Sequence, residues 1–462
     1  MSFSPVCRPI QAAEDPIRTA LQPLVDDPQK LISHFNLAWM AWNGRAEQVL
    51  NVEILRVHYK PFSRARMVMS VELRPLEQAG IAQKALLYLQ FYPDLDTAQQ
   101  RQVSYRQKVA LPSLGPPSFV LNEQSAIGYT LPNGPRLRRL AMLTSPASFL
   151  SFLVKKELTA YAQDDGYKNL EILRYVPRKR ALLYLRPKDP QLRPAYLKHF
   201  SPDDYPIART LHKKIERISE KGKFRFNLPR VLAQGGLRRI IMLEELPGTR
   251  FTNLFQNPPA AACWQVGDAL SSLHHSKAKS KVVWTPLKEW TWLSYACEEM
   301  ALAVPELKPR FSRIRHLLAS QLVEVENYKR RPIHANLFGD QILIDNKDVG
   351  IVDWDDLSKG DPCFDLGRLI AHYLYVVHCV NDRPLQDDGF IRNLLDGYNA
   401  NTKRKADIKR LTWHVACALP MRAKISALRM LPPDWVGQID RACQLAEHVL
   451  DHGIPYRNDD GS

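Results

Sequence analysis

The sequence predicts a two-lobed α+β fold preceded by an additional lobe-like α+β domain. Three observations carry that prediction. A strand-rich unit occurs twice, near residues 51–94 and 169–203. Apolar residues at helical spacing dominate from Ala260 onward. One polar loop, His334 to Gln341, and the apolar hairpin after it interrupt those helices and lead to Asp353. At 462 residues the chain is too long for one compact core. The expected division is an N-terminal domain over 1–150, a small lobe over 151–248, a helical large lobe over 249–454 and a disordered tail over 455–462.

The first copy opens with Asn51-Val-Glu-Ile-Leu-Arg56 and the second with Asn169-Leu-Glu-Ile-Leu-Arg174. A Tyr-x-Pro follows each, Tyr59-Lys-Pro61 and Tyr175-Val-Pro177. Basic residues then lead into strand-like runs, Met67 to Leu73 and Ala181 to Leu185. A third strand closes each copy on a Pro-Asp turn, Tyr88 to Asp94 and Tyr196 to Asp203. A repeated supersecondary unit accounts for that order better than coincidence. Leu95 to Phe152 joins the copies, with Pro112 to Pro117 breaking regular structure. After the second copy, Tyr205 to Ile218 has helical spacing with Pro206 near its first turn.

In the large lobe, the hairpin Ile342 to Val352 delivers Asp353 beside the loop that ends at Gln341. Magnesium takes oxygen ligands, so an amide at 341 and a carboxylate at 353 suit one hard cation. Phosphoryl transfer to a hydroxyl uses an acidic residue near the acceptor. Asn336 stands where that base is expected, and an amide takes up no proton. His274 and His275 read as buried or capping residues, and Trp284, Trp290 and Trp292 as core. Arg422, Lys424 and Arg429 read as a solvated helix face, with the edge of an acceptor cleft as the alternative.

These residues resemble the aminoglycoside phosphotransferase and choline kinase family, which has a protein kinase-like fold. Its loop runs His-Gly-Asp-x-x-x-x-Asn and its metal site Ile-Asp-Trp/Phe-Asp/Glu, against His334-Ala-Asn336 through Gln341 and Val352-Asp-Trp-Asp355 here. The register continues through Gly360-Asp-Pro-Cys-Phe-Asp-Leu-Gly367. Met242-Leu-Glu-Glu-Leu-Pro-Gly248 resembles the hinge that holds adenine, and Leu270-Ser-Ser-Leu-His274 the first large-lobe helix. The resemblance spans roughly residues 170 to 450, and an ordered set of motifs is far more specific than one.

The resemblance implies ATP and magnesium as cofactors. Lys198 would pair with the phosphates, Gln341 and Asp353 would hold the metal, and Glu244 and Leu246 would belong to the adenine hinge. His334 and Asp365 would orient the loop. Val176-Pro-Arg-Lys-Arg180 replaces a glycine-rich turn, so Arg178 and Arg180 are candidates to clamp the triphosphate through their side chains. Glu216 is the candidate helix partner of Lys198. In the first copy Gln90 stands where the second has Lys198, and an amide cannot supply that charge. The first copy is therefore expected to pack or to present a surface to a protein partner.

Composition bounds the alternatives. The 45% hydrophobic content is ordinary for a globular protein, and no stretch of about 18 apolar residues suggests a membrane span. Seven unpatterned cysteines and the lack of a basic-then-apolar leader point to a cytoplasmic protein. The net charge of +16 lies in short clusters without interleaved aromatics, which argues against a nucleic-acid surface. Two readings stay open. One is a phosphotransferase acting on a hydroxyl of a small polar metabolite, a sugar or an amino alcohol. The other is a pseudokinase, impaired by Asn336 and kept as a nucleotide-binding or partner-binding module.

Overall fold

The computed structural model describes residues 14–43, 47–75, 82–105, 114–133, 140, 146–161, 170–176, 179–187, 189–219, 224–236, 238–385 and 389–455. The chain forms two compact units, Met1–Leu131 and Pro132–Ser462.

In the first unit, Asp15 starts the helix Pro16–Asp26 by accepting from the Ile17 and Arg18 amides, with Pro16 preset for the first turn. A second helix, Leu31–Asn43, follows. Strands β1 (Glu47–Lys60), β2 (Arg64–Pro75), β3 (Gln83–Phe91), β4 (Phe119–Leu121) and β5 (Ala126–Thr130) form an antiparallel sheet in the order β1-β2-β3-β5-β4. Phe35, Trp39 and Phe119 pack ring to ring between the second helix and this sheet.

The second unit opens its own sheet with β6 (Leu170–Val176), β7 (Arg180–Leu185), β8 (Ala195–Phe200), β9 (Val231–Gly235) and β10 (Ile240–Glu244). The order is β6-β7-β8-β10-β9, the same as in the first sheet. The likeness between copies thus runs beyond the three strands legible in the sequence to all five. Lys198 pairs with Leu182 and Ile241 across its sheet, as Gln90 pairs with Arg66 and Ile127 across the other. The helix Tyr205–Ser219 follows β8 and buries Tyr205 and Ala208 against Phe200, Ile241 and Leu243.

Beyond β11 (Thr249–Arg250) the unit is helical, with helices Ala260–His274, Pro286–Ala303, Lys308–Ser320, Pro362–Leu374, Phe390–Ala400, Ile408–Ala423 and Trp435–His452. Helices Ala260–His274 and Phe390–Ala400 touch backbone to backbone through glycine. A Cβ on Gly267 would lie 2.0 Å from the Leu394 carbonyl oxygen, and one on Gly397 1.9 Å from that of Trp264. Four short strands interrupt the helices: β12 (Arg331–Ile333), β13 (Ile342–Asp345), β14 (Asp348–Ile351) and β15 (Ser358–Gly360). β12 pairs with β15 and β13 with β14, so the loop 334–341 and the turn 352–357 leave paired strands together. Among the described residues, no helix is long and apolar enough to cross a membrane.

Candidate functional site

The loop 334–341 is held from beneath by one helix face. In Pro362–Leu374, Asp365 and His372 stand two turns apart and so point the same way. Asp365, fully buried, accepts from the His334 amide at 2.6 Å, the Ala335 amide at 2.9 Å and His274 Nε2 at 3.1 Å. Burial pushes the Asp365 carboxyl up, but the His274 hydrogen bond and the neighbouring imidazoles hold it below its ordinary value. His372 Nδ1 accepts from the Gly339 amide at 3.0 Å. Burial and then Arg422 keep this imidazole's pKa well below the usual range, as an acceptor nitrogen requires.

Two residues at the site have left-handed backbone, Ala335 and Asp353, each at φ 67°. For a non-glycine residue such a conformation costs on the order of 1–3 kcal/mol and persists only where surrounding contacts over-determine it. Asp365 supplies those contacts at Ala335. His334 links the two strained residues: its Nε2 donates to the Val352 carbonyl at 2.9 Å, and its ring packs on Trp354 at 4.7 Å. The Val352 amide in turn donates to the Gln341 carbonyl at 2.9 Å, so Gln341 lies beside Asp353. The Gln341 side-chain oxygen accepts from the Phe338 amide at 2.7 Å, which uses one of its two lone pairs.

Above this turn sits a cluster of opposite charges. Lys198, on β8, donates to Asp353 at 2.6 Å and to Asp355 at 3.1 Å. Arg180, the first residue of β7, donates to Asp355 at 2.7 Å and lies 3.7 Å from Asp353. His212 Nε2 donates to the other Asp355 oxygen at 3.1 Å. Burial pulls the Lys198 ammonium down, but Asp355 and Asp353 outweigh it and raise its pKa. Burial likewise raises both carboxylates; Lys198, joined by His212 at Asp355 and by Arg180 at both, holds them below the carboxylate range. Asp356 differs. Desolvation, then Asp355 and Asp353, push its carboxyl up, and its Oδ2 accepts from the Asn336 amide nitrogen at 3.0 Å.

Several expectations change. The helix Tyr205–Ser219 brings His212, not Glu216, to the lysine–carboxylate cluster; Glu216 is half-buried, and the hydrogen bonds and ion pairs of Lys198 among the described residues go to Asp353 and Asp355. His212 occupies the buried face because it stands seven residues after Tyr205, two helical turns along. Arg422 is not on a solvated face. It is half-buried, stacks on Phe338 at 4.9 Å and lies 2.8 Å from His372 Nε2. Lys424 pairs with Glu299 at 2.8 Å. Trp284 packs on the cluster of Ile333, Ala335 and Phe364, whereas Trp292, against Trp284 at 5.6 Å, is 58% exposed. Arg178 lies outside the described residues. Glu244 ends β10 and pairs with Arg230 at 3.2 Å, and Leu246 lies over Gly350 of the hairpin.

Three His, Cys, Asp or Glu side chains do not converge in metal-binding fashion among the described residues. The donor set nevertheless suits magnesium, which is commonly held by one or two carboxylates plus substrate phosphates. Asp353 hydrogen-bonds through Oδ1 alone among the described residues, leaving its other oxygen for a cation.

Residues 182–406 match the phosphotransferase enzyme family. The segment contains Lys198, the loop and Asp353, so the likeness carried by separate motifs extends over one continuous stretch. Over 211 residues the chain is 25% identical to the homoserine kinase of Methylobacillus flagellatus, covering 44% of this chain and 62% of that enzyme. The chain thus spans less than two thirds of that relative's length. A choline/ethanolamine kinase family protein from Mesorhizobium loti is similar in structure with a TM-score of 0.44 and 14% identity, covering 68% of this chain and 94% of that one. An ADP-bound aminoglycoside phosphotransferase is similar with a TM-score of 0.42 and 14% identity, covering 65% and 98%.

Proposed function

We propose that this protein transfers the γ-phosphoryl group of ATP, as its magnesium complex, to a hydroxyl of a small polar metabolite, a sugar or an amino alcohol. The observation that carries the reading is the meeting of Lys198 and Asp353 at 2.6 Å, residues 155 apart in the chain. A lysine for phosphates and a carboxylate for magnesium are the charges that a transferring phosphoryl group needs on opposite sides. Bound magnesium would neutralise charge on the phosphates. Asp353 and Gln341 would hold it, Lys198 and Arg180 would turn from the carboxylates to the phosphates, and the Glu244–Gly248 hinge would receive adenine. His334 and Asp365 would keep the loop in place, and Asn336 would orient the acceptor hydroxyl. The homoserine kinase likeness fits a hydroxyl acceptor of this size.

One observation favours a second reading. The loop carries Asn336 at the position of the general base, as a nucleotide-binding or partner-binding pseudokinase would. The first unit, whose equivalent strand position holds Gln90, would then present a surface to a protein partner.

Calorimetric titration of ATP with and without magnesium, on wild type and Asp353→Ala, tests the first step common to both readings. Magnesium-dependent binding that disappears in the variant is the expected result. Absence of binding at millimolar ATP would defeat the enzyme reading.

A further inference from the structure

The loop lacks a carboxylate at position 336, but the site does not. Asn336 donates its amide hydrogen to Asp356 Oδ2 at 3.0 Å, and these side chains come from the two loops that β12 and β15 hold together. The other carboxylates near the loop are ion-paired, buried or, at Asp340, not bonded to Asn336 among the described residues. Asp353 and Asp355 are ion-paired with Lys198 and Arg180, Asp355 also with His212, and Asp365 is buried beneath the loop on two amides and His274. Asp340 is exposed on the far side of Phe338 in sequence, next to Gln341. Asp356 alone among them is both solvent-exposed and bonded to Asn336, the residue at the position of the base. Among the described residues its carboxylate has no other hydrogen-bond partner; the Ser358 hydroxyl bonds the Asp356 backbone carbonyl and fixes the turn.

We propose that Asp356 is the general base of the transfer, the carboxylate having moved from position 336 of the loop to position 356 of the neighbouring turn. This rests on the phosphotransferase reading above. An acceptor oxygen within hydrogen-bond reach of the Asn336 amide is within reach of the adjoining carboxylate, directly or through one water. The hydroxyl oxygen forms its bond to the γ-phosphorus while the bond from that phosphorus to the bridging oxygen breaks. The bridging electron pair leaves with ADP, and the hydroxyl proton passes to Asp356 and then to solvent. Asn336 is thus a positioning residue: its N–H fixes Asp356, whose carboxylate receives the acceptor hydroxyl's hydrogen bond. The same pairing explains how an amide at 336 is compatible with turnover.

The test uses the full chain with MgATP, L-homoserine as the acceptor probe and water as the default acceptor. Phosphoryl transfer and ATP binding by calorimetry are measured for wild type, Asp353→Ala, Asp356→Asn and the double variant Asn336→Asp/Asp356→Asn. The expected result is a fall in kcat of about 10²–10⁴ for Asp356→Asn with ATP affinity unchanged. The double variant, which returns the carboxylate to the loop, should regain at least about tenfold of that loss, an outcome that a merely structural role for Asp356 does not produce. Asp356→Asn that keeps kcat within about threefold, or a double variant no better than the single one, overturns the proposal and leaves the phosphotransferase reading intact. Wild type that binds MgATP but transfers to neither probe above Asp353→Ala overturns that reading and this proposal together.

Discussion

His414 gives the protein a pH dependence that can be worked out from its contacts. It is buried on helix Ile408–Ala423, with Nδ1 2.7 Å from Glu289 on helix Pro286–Ala303 and Nε2 3.6 Å from Asp361, the N-cap of Pro362–Leu374. Burial disfavours the imidazolium, but the Glu289 and Asp361 charges outweigh it and raise the pKa to about 9. An unfolded histidine titrates near ~6.5. The folded protein therefore keeps a proton that the unfolded chain gives up. The resulting stability is fully present below about pH 6.5 and is lost as pH rises through about 9. At about 1.4 kcal/mol per pH unit, that interval corresponds to roughly 3 kcal/mol. Urea unfolding followed by tryptophan fluorescence reads it directly, because buried Trp413 lies 5.1 Å from the His414 ring. Between pH 6 and 9.5, wild type should lose roughly 3 kcal/mol more than His414→Gln, which starts less stable and has a flatter profile. Parallel profiles for the two proteins would refute the assignment.

Two further perturbations test the support of the site. Asp365→Asn should cost about 3–5 kcal/mol, because one amide cannot replace a buried carboxylate that accepts from two backbone amides and His274; a loss under about 1 kcal/mol in the same unfolding experiment would reject the anchoring role. Its depressed pKa has the opposite sign to that of His414, so wild type should hold this stability above about pH 4 and lose it as pH falls through the folded value. Gly397→Ala should destabilise by about 1–3 kcal/mol or more, since its Cβ meets the Trp264 carbonyl oxygen at 1.9 Å and backbone must shift. Gly236→Ala, with nothing within 4 Å of its Cβ, is the matched control and should melt within about a degree or two of wild type.

The parts legible in the sequence were those fixed by local chemistry. Strand alternation and the Pro-Asp turn put Lys198 on the third strand of its copy, which the structure flanks on both sides, and the hairpin 342–352 aimed Asp353 back at the loop; the two side chains do meet. The repeat was visible over three strands only, because β4 and β5 are short and the corresponding β9 and β10 share little residue pattern with them. What the sequence concealed was set by which turn of a helix meets the site. Glu216 and His212 stand four apart, on one face but one turn apart along the helix, and the resemblance to kinases favoured the glutamate. The Asp355 carboxylate selects the histidine, since a second acid beside Asp353 and Asp355 would be repelled. Of the two readings open for Arg422, the solvated face falls: a basic residue on a late helix reads as solvated until Phe338 and His372 are found against it.

The sharpest limit on sequence reading lies at Asn336. Position by position, the loop has lost its carboxylate, and the conclusion of lost activity follows if catalytic groups are tied to their places in a motif. Chemistry does not require that, because a proton acceptor is defined by its reach to the hydroxyl and not by the strand that carries it. Asp356 is twenty residues from Asn336, yet the β12–β15 pairing brings the two within one hydrogen bond. In the sequence Asp356 is only the third acid of a short acidic run, without a motif position to distinguish it. Asp355, its neighbour, is no freer by sequence, and in the structure Lys198, Arg180 and His212 occupy both its oxygens. Where the proton of a transferred-to hydroxyl would go therefore turns on a contact between two loops, and the carboxylate swap between 336 and 356 tests that assignment.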